Sequence, residues 1–479
     1  MSDAVVVTGS SLTLDDVLAV ARGGAGARLD EETRARIAAG HATLLRSLAA
    51  DVAVYGANTG VGAAKLDQVA DDARFNRVML ANHRVASGPD APPDVVRATI
   101  LRVANHLATG RNGVRPELVE ALLATLDAPE PPRMQALGSL GIGDIGPLVD
   151  LALDALGDFA FGPSEGLALF DHNAYGTAAA ALAIADCRRL ADALDATIAL
   201  DLEGFGANLG AIDPIVAASR PYPGIIAVRE RVAGLLAGSD LEDRSRARNL
   251  QDPVCFRSAV QIQGAFRDVL DRAGEVLDFE LNAFQGNPIV ITEEDRVQSV
   301  GQFVILPLAL AVDALRQALA AALTAQLERT IKQLQLPFNG LSRGLRAHET
   351  GGEPGLEILS HGLASLVGEC RLLAAPVANE LPTTSIEEGI EDSMTLLPTG
   401  ARRLAEMCAL GERVVAGGLV VAAQACDLRG HRLGAGTGAL RDLVRTAAPG
   451  LEPNGPMPSL DPVEALVRAG RVGAGAGGS

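Results

Sequence analysis

Residues 138–148 read Gly-Ser-Leu-Gly-Ile-Gly-Asp-Ile-Gly-Pro-Leu and lead directly into the apolar helical segment 148–159. Ordering that much glycine costs backbone entropy, so a loop of this composition is expected to hold something. Comparable glycine-rich or polar interruptions fall at 55–62, 110–116, 171–177, 251–258, 285–303 and 382–394. Binding and catalytic groups concentrate on such connections between rigid elements. Titratable side chains in them include Tyr55, Asp171, Arg257, Glu387 and Glu388. The five cysteines, Cys187, Cys255, Cys370, Cys408 and Cys426, are widely spaced, and no pair has zinc-ligand spacing. They read as buried thiols in a reducing compartment, and no metal site is expected.

The elements that must position these loops are helical. Apolar residues recur three and four apart over 115–126, 178–200 and 264–284. The segments 303–334 and 400–430 read as long helices that are apolar nearly all round. Such helices must be covered on every side, which predicts a mainly α fold with a central helix bundle, covered further by other subunits. Alternating strand patterns are few. The expected domains are 1–200, 201–450 and a tail at 451–479, whose end (468–479) lacks core-forming residues and is expected to be disordered.

The chain has 479 residues and a net charge of −18 spread along it. It offers no basic face for phosphates, which argues against nucleic-acid binding. The N-terminus lacks the basic and apolar regions of a signal peptide. The longest uncharged apolar run, 414–426, falls short of the roughly 20 residues that span a bilayer. A soluble cytoplasmic protein with no membrane partner is expected.

Several segments together resemble one family. They are Val-Tyr-Gly-Ala-Asn-Thr-Gly-Val-Gly at 54–62, Gly-Arg-Asn-Gly-Val-Arg-Pro-Glu at 110–117, the loop 138–148, and Gly-Pro-Ser-Glu-Gly-Leu-Ala-Leu at 162–169. Gln-Asp-Pro-Val-Cys-Phe-Arg at 251–257, Asn-Ala-Phe-Gln-Gly-Asn-Pro at 282–288, and segments at 301–303, 328–329, 382–394 and 425–430 follow in the same order. The chain from about 50 to 450 resembles the aromatic amino-acid ammonia-lyases: the histidine, phenylalanine and tyrosine ammonia-lyases and the related aminomutases. The resemblance implies a long-helix bundle and a homotetramer whose active sites combine residues from several chains.

The same resemblance says what the glycine loop holds in that family. An Ala-Ser-Gly triplet there cyclises and dehydrates into 4-methylideneimidazole-5-one (MIO), an electrophile that captures the substrate amine. Here Gly141, Gly143 and Asp144 match, but one residue is missing and Ile142 alone stands where Ala-Ser belongs. Ser139 is a poor substitute, because Leu140 follows it where the cyclising nitrogen should come from glycine. No MIO is therefore expected. A segment that usually precedes the 162–169 motif is also absent.

Other positions carry family roles by resemblance. Tyr55 matches the base that takes the β-carbon proton; a free tyrosine titrates near ~10, so it needs cationic or hydrogen-bonding help. Arg257 matches the arginine that clamps the substrate carboxylate, a task suited to a planar guanidinium, and Gln251 belongs to the same motif. His83 matches a histidine of the histidine-lyase branch. Asp171 stands where the family has asparagine, with Asn173 able to take that place if the loop shifts. Gln302 replaces an asparagine, Phe303 is kept to line the pocket, and Glu387 or Glu388 matches a glutamate of the site. Against these roles stand plainer ones: a core tyrosine, a structural ion pair, a packed histidine, solvated acids.

The electrophile is gone, whereas the proton carrier and the carboxylate clamp remain. That pattern implies an MIO-independent lyase, or the reverse addition or cyclisation, on a small amino-acid-derived carboxylate, with Tyr55, Asp171 and Glu388 as candidate catalytic residues. The loop's helix N-terminus is expected to stabilise developing negative charge. The other reading is a non-catalytic relative that binds a ligand or partner subunit.

Overall fold

The computed structural model describes residues 4–69, 73–347, 353–378, 386–452 and 455–473. Helices dominate, and among the described residues the strands form only three two-stranded ribbons. The four longest helices are Ala174–Phe205, Ala259–Glu280, Leu306–Leu334 and Leu397–Arg429. They fall on the long periodic stretches of the sequence, which alanine and leucine, strong helix formers, fill.

The chain divides into two compact units. One comprises Met1–Ala183, Ala273–Asp313 and Pro376–Arg402; the other comprises Ile184–Arg272, Ala314–Ala375 and Arg403–Ser479. This is not the contiguous division at residue 200 expected from the sequence. The chain returns to the first unit twice, at Ala273 and Pro376, and sequence order does not reveal such returns.

In the second unit the long helices pack closely. A methyl group added at Gly411 would lie 2.7 Å from Leu190 Cδ2 and 3.3 Å from Leu323 Cδ2, so three helices meet there. Every residue of the apolar run 414–426 is buried, so its covering is protein. Asp201 is also buried; Arg329 donates to it at 2.8 Å, Gln333 at 2.8 Å and Gln326 at 3.0 Å. A buried carboxylate is tolerable only with such partners. Among the described residues one helix, Leu306–Leu334, is long and apolar enough to cross a membrane, and more than half of its most apolar window is buried inside the protein. Near the C-terminus, Asp461–Arg468 is helical and buries Val463 and Val467; the last residues of the expected disordered end, 474–479, lie outside the described residues.

The first unit carries the loop 138–148. The strand Ser87–Asp90 pairs antiparallel with Gln135–Leu137 just before it, and the helix Ile145–Leu156 begins at its end. The loop is therefore fixed at both ends by regular structure.

Candidate active site

A cavity of about 370 Å³ lies in the first unit, a size that takes a small molecule. Tyr55, Lys65, Ile142, Asp171, Phe303 and Glu391 line it, with Asn287 and Ser299. Phenol, ammonium and carboxylates thus face one space beside the glycine loop.

The loop is held from both sides. Thr395 Oγ1 donates to the Gly141 carbonyl at 2.6 Å, and the Thr395 and Leu396 amides donate to Leu140 O at 3.2 and 3.0 Å. Gly141 has φ +74°, and a methyl group there would come 2.3 Å from Thr395 Oγ1. Both facts require glycine. The Gly143 amide donates to Asn173 Oδ1 at 3.1 Å and the Asp144 amide to the His172 carbonyl at 2.8 Å. Asp144 is buried; its carboxylate accepts from the Ser139 hydroxyl at 2.5 Å and the Gly176 amide at 2.7 Å. Burial still raises its pKa to about 6.

These bonds narrow one expectation, for three of the loop's amides. The amides of Gly141, Gly143 and Asp144 are occupied within the protein, by Ser139 Oγ, Asn173 Oδ1 and His172 O. They are not free to stabilise developing charge on a ligand.

The residues of the loop do not fit the family's prosthetic group. Ile142 is 5% exposed and lines the cavity where the hydroxyl-bearing serine would stand. Ser139 is engaged with Asp144 and Gly141. One Ala-Ser-Gly triplet does occur, at Ala86–Gly88, but its Ser87 and Gly88 belong to the exposed strand Ser87–Asp90 and Ser87 pairs with Leu137. This triplet also lies outside the cavity lining.

Tyr55 precedes the tight turn that the 54–62 motif builds. Its hydroxyl accepts the Gly62 amide at 2.7 Å. Burial pushes its pKa up to about 12, with Asp171, Glu387 and Glu391 adding to the rise. Asp171 Oδ2 is buried with no hydrogen-bond partner. Burial first, and then Glu391, hold its pKa well above the usual carboxylate range. Glu391 is raised by its own burial and by Glu387. Several carboxyls therefore crowd a phenol, and a positive charge placed among them would relieve all of them.

Other residues singled out from the sequence lie elsewhere. Asn173 is buried and holds the loop, donating to Phe303 O at 2.5 Å, and does not line the cavity. Gln302 is exposed, although its neighbour Phe303 lines the cavity. His83 donates from Nδ1 to Met79 O at 2.8 Å and stacks on Phe170, outside the lining. Glu388 is exposed too. Ile386 and Glu391 exchange backbone hydrogen bonds at 3.0 and 3.2 Å, which folds the segment back. Glu388 lies in the turn between them, while Glu391 reaches the lining. Gln251 and Arg257 belong to the second unit and are exposed there, Arg257 ending the short helix Val254–Arg257.

Sequence reasoning missed Lys65 and Glu391. The signal for Lys65 was compositional: of 41 lysines and arginines, only Lys65 and Lys332 are lysines. Glu391 lay three residues beyond Glu388, the second of the glutamates the motif pointed to.

This helical architecture, with a small acidic cavity beside a glycine loop that opens a helix, is that of a lyase. The chain matches the family described as aromatic amino acid lyase over residues 12–160 and 154–446 and belongs to it. It is 33% identical to the histidine ammonia-lyase of Streptomyces coelicolor, covering 98% of both chains. It is 32% identical to that of Gloeobacter violaceus over 94% of this chain and 93% of the relative. Among solved structures it resembles the ergothioneine-degrading enzyme ergothionase from Treponema denticola, with a TM-score of 0.91 and 27% identity over 98% of this chain and 99% of that one. The histidine ammonia-lyase of Trypanosoma cruzi superposes with a TM-score of 0.88 and 25% identity, covering 98% and 94%.

Proposed function

We propose that this family member is a lyase that works without MIO on a small amino-acid-derived carboxylate, either eliminating across a carbon–nitrogen or carbon–oxygen bond or running the reverse addition or cyclisation. The observation that carries the reading is Ile142, an apolar side chain lining the cavity where the family's electrophile is built. Ammonia is a poor leaving group when the proton removed is barely acidic. A site without the electrophile needs a leaving group that is activated already.

The likeness to an enzyme that degrades ergothioneine supports one such group. Ergothioneine is a betaine, and its α-nitrogen is a quaternary trimethylammonium. A quaternary nitrogen leaves as a neutral tertiary amine and needs no activation. In the proposed elimination Tyr55, as phenolate, takes the β-proton, the C–H electrons form the carbon–carbon double bond, and the carbon–nitrogen pair leaves with the amine. The substrate cation sits near Asp171 and Glu391, and its charge lowers the Tyr55 pKa from about 12 toward working pH. Arg257, which lies in the second unit, is proposed to clamp the carboxylate from another copy in a cytoplasmic homotetramer.

The test is intact mass and chemistry together. The purified protein is expected to have its translated mass, to lack the near-ultraviolet absorbance of MIO, and to release a tertiary amine from an α-trimethylammonium substrate at a rate that borohydride leaves unchanged. A mass lower by two waters overturns the reading. Tight binding of such substrates with no amine released favours the non-catalytic relative instead.

A further inference from the structure

We infer that Lys65 receives the substrate's carboxylate within this cavity, alongside the Arg257 clamp proposed above, and so strengthens the selection for a free acid. The inference deepens the reading above and rests on it. Lysine is nearly excluded from this chain, where arginine supplies almost every cation. Lys332, the second lysine, is paired with Glu328 at 2.6 Å. Lys65 lines the cavity and, among the described residues, its ammonium is in no ion pair.

Its position is set by the same turn that sets Tyr55. The Gly62 amide donates to the Tyr55 hydroxyl at 2.7 Å, and the Lys65 amide donates to the Gly62 carbonyl at 3.2 Å. The proton carrier and the ammonium are thus fixed to one short 3-10 turn, Gly62–Ala64. The charges in the lining are of two kinds: Asp171 and Glu391 are the carboxyls, and Lys65 is the one cation among the described lining residues. A betaine carries the same two charges, reversed. With its quaternary nitrogen near Asp171 and Glu391, its carboxylate is left for Lys65.

Lys65 and the proposed Arg257 clamp can be told apart by changing the ligand as well as the protein. Ergothioneine and its carboxamide serve as probes, with binding followed by isothermal titration; every protein compared, the reference called wild type included, carries Tyr55→Phe so that turnover does not disturb the titration. The wild type is expected to bind the acid at least about 10-fold more tightly than the amide, the scale of one charged hydrogen bond. Lys65→Met, which keeps the stem, is expected to bind the acid about 10-fold more weakly than the wild type and the amide equally well, leaving whatever preference Arg257 supplies. Lys65→Arg is expected to recover part of the preference. Thermal unfolding of each variant within a few degrees of the wild type shows that the fold is kept. If Lys65→Met retains the wild-type preference for the acid, the inference falls while the proposed function stands. If the wild type binds neither probe, or both equally, the betaine reading falls and takes the inference with it.

Discussion

Glu387 rests directly on Gly62: a methyl group built there would lie 1.5 Å from the Glu387 carboxylate oxygen Oε2. Gly62 also has φ +59° and donates its amide to the Tyr55 hydroxyl. One glycine thus links the acidic segment 386–391 to the phenol of the cavity. Gly62→Ala is expected to displace Glu387, strain the turn and misplace Tyr55. Turnover should fall by about 10²-fold or more, because small misplacements of catalytic groups cost that much. Thermal unfolding should shift by only a few degrees, as Ala63 and Ala64 of the same turn are exposed. Wild-type turnover in Gly62→Ala would mean that this contact does not matter to the site.

Tyr55 and Arg257 are expected to fail differently. Tyr55→Phe keeps the ring and removes the proton carrier. Turnover should drop about 10²–10⁴-fold with binding nearly intact. Arg257→Lys keeps the charge and loses the two-pronged geometry, so binding should weaken by roughly 1.5–3 kcal/mol. Paired titrations and rate measurements separate the two. If Tyr55→Phe turns over at the wild-type rate, Tyr55 is not the base.

A pH–rate profile should rise with pH. Tyr55 in the free protein is held at about 12, and kcat/KM reports the free enzyme. Between pH 7 and 9 only a small, tenfold-per-unit growing fraction of Tyr55 is phenolate, so log kcat/KM should climb with a slope near one. A profile that is flat across that range would assign proton removal to another group.

Asp144 gives a stability signature. Its folded pKa is raised from 3.8 to about 6 by burial, so the folded protein holds this proton more tightly than the unfolded chain. Stability from this group is present at low pH and is lost as pH rises from about 4 to about 6; above that it is flat. The loss is on the order of 3 kcal/mol. Asp144→Asn removes the titration, and its unfolding free energy should lack that downward step relative to wild type. Parallel curves for the two proteins between pH 4 and 6 would remove Asp144 from the account.

Assembly is the last expectation. Leu250, Val254 and Leu372 of the second unit and Phe279 of the first are strongly exposed for large apolar residues, and covering them by association removes that surface from water. Light scattering should give a tetramer of the 49.3 kDa chain. A stable monomer at micromolar concentration would leave Arg257 with no neighbouring copy to serve.

The sequence by itself determined the helices, because their apolar period is written residue by residue, and long apolar stretches such as 414–426 have few ways to be buried. It also determined that residue 142 has no hydroxyl, since composition alone settles that. It could point to Tyr55, Asp171 and Phe303 through their motifs. What it could not decide was which neighbours of a motif face inward. Gln302 and Phe303 are adjacent, and only Phe303 lines the cavity; Glu388 lies in a turn whose closing pair brings Glu391 to it instead. Nor could it show that Asn173 is consumed in holding the loop, or that Lys65 belongs with Tyr55. Those outcomes depend on backbone hydrogen bonds and turn geometry between segments far apart in sequence, such as Thr395 on Gly141, and a linear pattern does not carry such pairings.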